Sequence, residues 1–232
     1  MINIRRQQER GKTNLSWLDS RHTFSFGDYH DPQHMGFGTL RVINEDRVTP
    51  GAGFPTHGHR DMEIVTYVLK GELAHRDSTG TSSVIRAGEV QRMSAGTGIT
   101  HSEFNNSTAA GVHFLQIWLL PERPAIAPSY EQRAFGADGK AGKWQLIASR
   151  DGAQRSLTVH QDVRIYLANL NGGSILEFDI HPKRRFWAQI VDGAARLNGT
   201  AMSAGDGAAL TDEAKLTFTA SAPSEIMLFD LA

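Results

Sequence analysis

From residue 39 onward, apolar and polar side chains alternate in short runs, the period of two that a half-buried β-strand requires. Residues 39–44 predict a first strand. Residues 63–70, Glu-Ile-Val-Thr-Tyr-Val-Leu-Lys, predict a second, rich in the β-branched side chains that suit a pleated surface. Gly71 turns the chain into 72–77, Asp77-Ser78-Thr79-Gly80 turns it into 82–86, and Ala87-Gly88-Glu89 turns it into 90–94. Strands at 101–105 and 112–119 complete a set at the spacing of an antiparallel sandwich or barrel. Residues 1–38 break the pattern, mixing polar runs with Trp17, Phe24, Phe26, Tyr29 and Phe37 among glycines, and predict irregular structure whose aromatics cover a sheet.

Three prolines between 121 and 128 admit neither helix nor central strand and mark the exit from a first domain. After a glycine-interrupted connector at 130–151 the alternation resumes at 175–180, 186–192, 194–197, 216–220 and 226–231. The Ala-Gly-acid turn at 87–89 recurs at Ala204-Gly205-Asp206, each time less than about twenty residues after a glycine turn, at Gly71 and Gly193. The chain therefore reads as an internal duplication, with domains at 1–135 and 136–232. The second copy lacks the histidine pair of the first and offers His181-Pro182-Lys183-Arg184-Arg185 in its place.

Composition narrows the chemistry. Among 232 residues, 24 Lys and Arg balance 25 Asp and Glu, so no electrostatic footprint for nucleic acid or an acidic membrane arises. The absence of cysteine excludes disulfides, thiolate ligands and cysteine nucleophiles, leaving nitrogen and oxygen to hold any metal. The N-terminus lacks the apolar core of a signal peptide and no apolar run reaches about 18 residues, so the expected compartment is the cytoplasm.

The candidate chemistry lies between Thr56-His57-Gly58-His59 and His101-Ser102-Glu103. Residues i and i+2 of a strand share a face about 6.6 Å apart, so His57 and His59 converge, as do His101 and Glu103. With metal-to-nitrogen distances near 2.1 Å these four offer one ion three nitrogens and a carboxylate. Glu63 competes with Glu103 for the carboxylate role, but lies about 13 Å from His59 along an extended strand; a sharp turn at Arg60-Asp61 would bring it back, which makes it a candidate outside the ligand set. His22, His30 and His34 fit no regular face, and His75, His113, His160 and His181 stand singly; all are expected as surface or satisfied core residues.

Gly51, His57-x-His59, Glu63 and Gly71, followed by Gly88, Ser94-x-Gly96, His101 and Asn105, resemble the two cupin motifs. Together with Gly36-Phe37-Gly38, His75-Arg76-Asp77 and Met93-Ser94-Ala95-Gly96-Thr97-Gly98-Ile99, they resemble the pirin family of two-cupin proteins. The sequence departs from the general cupin pattern at Ser94, where proline is usual, and in the seven residues before Gly71. The resemblance implies an all-β bicupin of two antiparallel β-barrel or jelly-roll domains, with a metal in the N-terminal one held by His57, His59, His101 and Glu103. The ion would be one divalent transition metal: iron, copper, zinc, manganese, nickel or cobalt.

By the same resemblance the expected activity is that of a quercetin 2,3-dioxygenase, with Glu103 as general base and a flavonol and dioxygen as substrates. The central ring opens and carbon monoxide leaves. A monomer with no nucleic-acid or membrane partner is expected. The alternative is a non-enzymatic, metal-dependent binding or regulatory protein of the pirin type.

Overall fold

The structure, a computed structural model, describes residues 1–181 and 183–232. Its regular structure is almost wholly strand, with one short α-helix, Ala137–Lys140, and two single 3-10 turns, Gln7–Glu9 and Ala153–Arg155, among the described residues. The strands fall into two compact units: Gly11–Phe135 with Leu157–Gln161, and Met1–Arg10 with Gly136–Ser156 and Asp162–Ala232. Residues 1–10, expected in the first domain, thus belong to the second unit. There Ile2–Arg5 pairs antiparallel with Gly207–Leu210, and Ile2 and Ile4 pack on that unit's core. The pairing covers a sheet edge that would otherwise leave backbone groups open.

The first unit runs Gly11–Asn14, Leu18–His22, Leu40–Val48, Val112–Leu119, Gly53–Lys70, Glu89–Asn105, Glu72–Asp77 and Ser82–Arg86 in spatial order, with Ser129–Ala134 also paired to Glu89–Asn105. Its ladders are antiparallel, as alternation predicts, but the path has two ends, so hydrogen bonds do not close the expected barrel. Residues 1–38 are not wholly irregular: they contribute Ile2–Arg5, Gly11–Asn14 and Leu18–His22. Along the inner face one apolar cluster contains Val68 and Phe114, and a second contains Ile64 with Trp118 against it. Between them in each strand stands a polar residue, Thr66 and Gln116.

Two long strands, Gly53–Lys70 and Glu89–Asn105, carry the candidate residues, and both bend. Their register shifts between Phe54 and His57 and again between His59 and Asp61, where Asp61 takes φ +64°. Such irregularities change which side chains face the core. Before the second shift the odd-numbered His57 and His59 face inward; after it the even-numbered Ile64, Thr66 and Val68 do. The partner strand bends at Gly96, φ +47°, where an added Cβ would sit 2.0 Å from the Ile126 carbonyl oxygen. That bend joins the expected strands 90–94 and 101–105 into one.

In the second unit the order is Ile2–Arg5, Gly207–Leu210, Arg185–Asp192, Ser224–Leu231, Val163–Leu170, Gln145–Ser149. A second sheet orders Ile175–Asp179, Lys215–Ala220, Ala194–Leu197, Thr200–Ser203. Their inner faces bury Leu197, Leu216, Phe218 and Leu228 in one apolar cluster. The connector at 130–151 is partly regular, containing most of Ser129–Ala134, the helix and Gln145–Ser149. No described helix is long and apolar enough to cross a membrane.

Candidate metal centre

His57 lies opposite His101 in the ladder and His59 opposite Ile99, so the two strands bring three imidazoles to one patch of the inner face. The Nε2 atom of His101 lies 2.9 Å from that of His59 and 3.1 Å from that of His57. Two nitrogens each about 2.1 Å from a common ion, at right angles, stand about 3.0 Å apart, so the spacing fits a shared metal. The protonation pattern fits as well. His57 donates its Nδ1–H to the Pro55 carbonyl at 2.8 Å, leaving its Nε2 lone pair facing the other rings. Burial pushes His59 down to about 4 and His101 to about 2, so both are neutral and present lone pairs at neutral pH. Lone pairs converging at this distance repel one another unless a cation or proton lies among them.

Glu103 is buried on the same inner face. Its Oε2 accepts from Gln116 Nε2 at 2.8 Å and its Oε1 from Gln91 Nε2 at 3.4 Å. Gln116 is oriented in turn by Trp118, whose Nε1–H donates to its Oε1 at 3.4 Å. Burial, followed by the charge of Asp46, pushes the Glu103 carboxyl up to about 8, against the pull of the Gln116 bond. His57, His59 and His101 place ligand atoms within 4.8 Å of one another, whereas Glu103 shares such a group with His75 and His101. Of the four expected ligands, then, the three histidines meet directly and Glu103 adjoins them through His101. A cavity of about 110 Å³ opens beside His57 and Glu103, walled by Phe26, Phe54 and Trp118 and by the polar side chains of Asp46 and Gln116.

Glu63 does not take part. It lies beyond the second register shift, on the outward-facing set, and its Oε2 accepts from the backbone N–H of His160 at 3.0 Å and lies 3.2 Å from that residue's Nδ1. The bend at Asp61 exists, but it turns Glu63 away from the histidines. The remaining expectations for single histidines divide. His22 bonds to Asn44 and Thr13, His34 to Asp31 and His113 to Glu45, as satisfied residues. His75, also read as a single residue, lies against the site: it is fully buried, with its Nδ1 3.5 Å from His101 Nδ1 and its Nε2 2.9 Å from Asp77 Oδ2. The signal was in the sequence as His75-x-Asp77, an i, i+2 pair in the strand directly after Gly71. Burial works against the Asp77 carboxylate, but bonds from Thr79, His75 and Thr81 outweigh it and hold the group below its ordinary value.

A family model described as Pirin matches residues 3–119, and one described as Quercetinase C-terminal cupin domain matches residues 146–231. A protein of Escherichia coli (strain K12) named quercetin 2,3-dioxygenase is 49% identical over 231 residues, covering 100% of this chain and 99% of its own. The crystal structure of the bacterial pirin YhhW from Escherichia coli in complex with nickel(II) matches with TM-score 0.95 and 47% identity, over 100% of this chain and 99% of that one. A quercetin 2,3-dioxygenase from Acinetobacter baumannii, 18% identical, shares the fold with TM-score 0.78 over 95% of this chain and 84% of the other.

Proposed function

This chain belongs to the pirin family, and from that membership we propose that it is a metal-dependent quercetin 2,3-dioxygenase, opening the central ring of a flavonol with dioxygen. The observation that carries the reading is the convergence of three imidazole Nε2 atoms 2.9 and 3.1 Å apart. His57, His59 and His101 would hold one divalent ion, with Glu103 completing the set in the resting site by turning from its glutamine partners, and returning to them as general base when substrate arrives. Nitrogen and oxygen donors suit iron, copper, zinc, manganese, nickel or cobalt, and the nickel-bound relative supports an ion of this class. Bound there, the ion supplies Lewis acidity, making a flavonol 3-hydroxyl more acidic and favouring reaction with dioxygen.

The chain's own groups do the rest. Glu103 accepts the hydroxyl proton at Oε1, the oxygen held at 3.4 Å, while Gln116 steers Oε2 at 2.8 Å. Burial raises the affinity of that carboxyl for a proton, which favours its taking one up. Phe26, Phe54 and Trp118 give the neighbouring cavity apolar walls that receive a planar ring and exclude water. A cavity of about 150 Å³ holds a benzene molecule; this one, at about 110 Å³, takes at most a single ring, so the rest of a flavonol extends past the half-exposed His57 and His59. The balanced charge of 24 basic and 25 acidic residues supports small molecules rather than nucleic acid as partners, and we take one copy of the chain as the working unit.

The test is turnover of quercetin by metal-loaded protein, followed together with oxygen uptake and carbon monoxide release. All three are expected in the parent and none in His57→Ala. Metal-loaded parent that leaves quercetin intact, or a His57→Ala variant as fast as the parent, overturns the proposal.

A further inference from the structure

We infer that Asp77 and His75 form a positioning pair that fixes the tautomer of His101 and thereby aims its Nε2 lone pair at the metal. The inference rests on the metal reading above and concerns two residues that lie outside the four expected ligands.

The hydrogen bonds read in one direction. Asp77 Oδ1 already accepts three donors: the backbone N–H of Thr79 at 2.9 Å, its hydroxyl at 2.6 Å and the backbone N–H of Thr81 at 3.2 Å. Oδ2 is left to His75 Nε2 at 2.9 Å, and an ionised carboxylate can only accept, so the His75 proton is on Nε2. His75 Nδ1 is then a bare acceptor, and what faces it, at 3.5 Å, is His101 Nδ1. That distance is the outer limit of a hydrogen bond, and it joins the rings when His101 carries its proton on Nδ1. Nε2 of His101 is thereby left bare, and it is the atom 2.9 and 3.1 Å from the other two Nε2 atoms.

The pair is also held rigidly. The His75 ring lies between His101, centroids 5.3 Å apart, and Tyr130, 4.8 Å away and tilted by 34°. In the ladder His75 stands opposite Glu103 and Asp77 opposite His101, so backbone pairing sets both spacings. A metal-bound imidazole whose other nitrogen is bonded to such a partner is a stronger and better-oriented ligand, and losing the partner costs about 10–100-fold in metal affinity or activity.

The decisive variant is Asp77→Asn. The three donors at Oδ1 demand an oxygen, so the asparagine amide nitrogen must face His75 Nε2 and donate to it. His75 then carries its proton on Nδ1 and donates to His101 Nδ1, placing the His101 proton on the nitrogen that should bind metal. Two measurements on the full chain test this. Long-range proton–nitrogen correlations of histidine-labelled, metal-free protein are expected to show His101 protonated on Nδ1 in the parent and on Nε2 in Asp77→Asn. Competition with a chromophoric chelator is expected to show nickel(II) bound about 10–100-fold more weakly by the variant. His75→Phe, which keeps a ring beside Tyr130 and leaves the Asp77–Thr79 bonds in place, is expected to weaken nickel(II) binding about tenfold.

A metal-free parent with His101 protonated on Nε2 overturns the inference, as does either variant binding nickel(II) as tightly as the parent. A parent that takes up no nickel(II) or other divalent ion overturns the metal reading, while the tautomer measurement still decides the pair.

Discussion

In the first unit the strand Gly53–Lys70 slips register between Val68 and Lys70 and ends at Gly71, φ +80°, where an added Cβ would lie 2.7 Å from the Gly111 carbonyl. In the second, Arg185–Asp192 slips between Ile190 and Asp192 and ends at Gly193, φ +75°, where an added Cβ would lie 2.0 Å from the Pro223 carbonyl. With these two turns taken as equivalent, register aligns the interiors. Leu73 opposite Asn105 matches Ala195 opposite Ala220, and Tyr67 opposite Leu115 matches Gln189 opposite Met227. His101 then corresponds to Leu216, Glu103 to Phe218, His75 to Leu197 and Gln116 to Leu228. All four counterparts are fully buried in the second unit's apolar core. The same plan therefore closes without any of the site's polar groups. Burying a carboxylate and neutral imidazoles costs free energy unless bonds offset it, so packing alone does not account for them in the first unit.

The sharpest way to break the contrast is to write the second unit's residue into the first. His101→Leu removes a proposed ligand that the paired strand supplies and is expected to lower nickel(II) affinity by more than the about 100-fold that an outer partner costs, with turnover lost; chelator competition and quercetin consumption measure both. The metal-free variant should fold and melt no lower than the parent, because a leucine occupies the equivalent place and replacing buried polar groups by apolar ones is often neutral or stabilising. Glu103→Gln comes next. It keeps the shape but cannot take up the hydroxyl proton, so turnover at saturating quercetin should fall about 10²–10⁴-fold, read from steady-state rates. Equal rates for variant and parent would remove Glu103 from the proton transfer.

What could be read in the sequence follows the same division. His57-x-His59 and His101-x-Glu103 were legible because strand periodicity alone puts i and i+2 on one face. Gly71 and Gly193 were legible as turns, and the structure shows why each needs glycine: positive φ beneath a carbonyl. Glu63 was judged by distance along an extended strand, whereas its exclusion comes from the register shift at His59 and Asp61, a bulge that no composition announces. The place of Ile2–Arg5 in the second unit depends on an edge some 200 residues away, at Gly207–Leu210, which local pattern does not reveal. Val163–Leu170 also alternates, with Val163, Ile165 and Leu167 buried, and adds a strand to those predicted. His75 is a satisfied core residue as expected, but its neighbours His101 and Tyr130 come from other strands, which local pattern does not reveal.

The converse change tests whether the second unit's interior is purely structural. Phe218, the counterpart of Glu103, is fully buried and packs edge to face with Trp144, centroids 5.4 Å apart. Phe218→Ala leaves a cavity and is expected to cost about 3–5 kcal/mol, a large fraction of a typical domain's stability. Denaturant titration should show the loss, while nickel(II) affinity of the folded protein stays at the parent value. A metal affinity that fell with stability would give the second core a share in the site.

The mildest substitution separates the ligands from what steers them. Gln116 donates to Glu103 Oε2 at 2.8 Å and accepts from Trp118 Nε1 at 3.4 Å, so Gln116→Leu, copying Leu228, strips a bond from each neighbour. Leaving those buried groups without partners costs about 1–3 kcal/mol, partly offset by the apolar gain that Leu228 illustrates in its own core. The loss should fall on turnover more than on stability, because Glu103 loses the bond that points Oε1 at the substrate hydroxyl while the three imidazoles keep their places. A drop of about tenfold in kcat, with KM for quercetin and melting temperature close to the parent, is the expected result. If kcat holds, the glutamine serves the interior as its leucine counterpart does, and the boundary between chemistry and packing in the first unit lies one residue nearer the histidines.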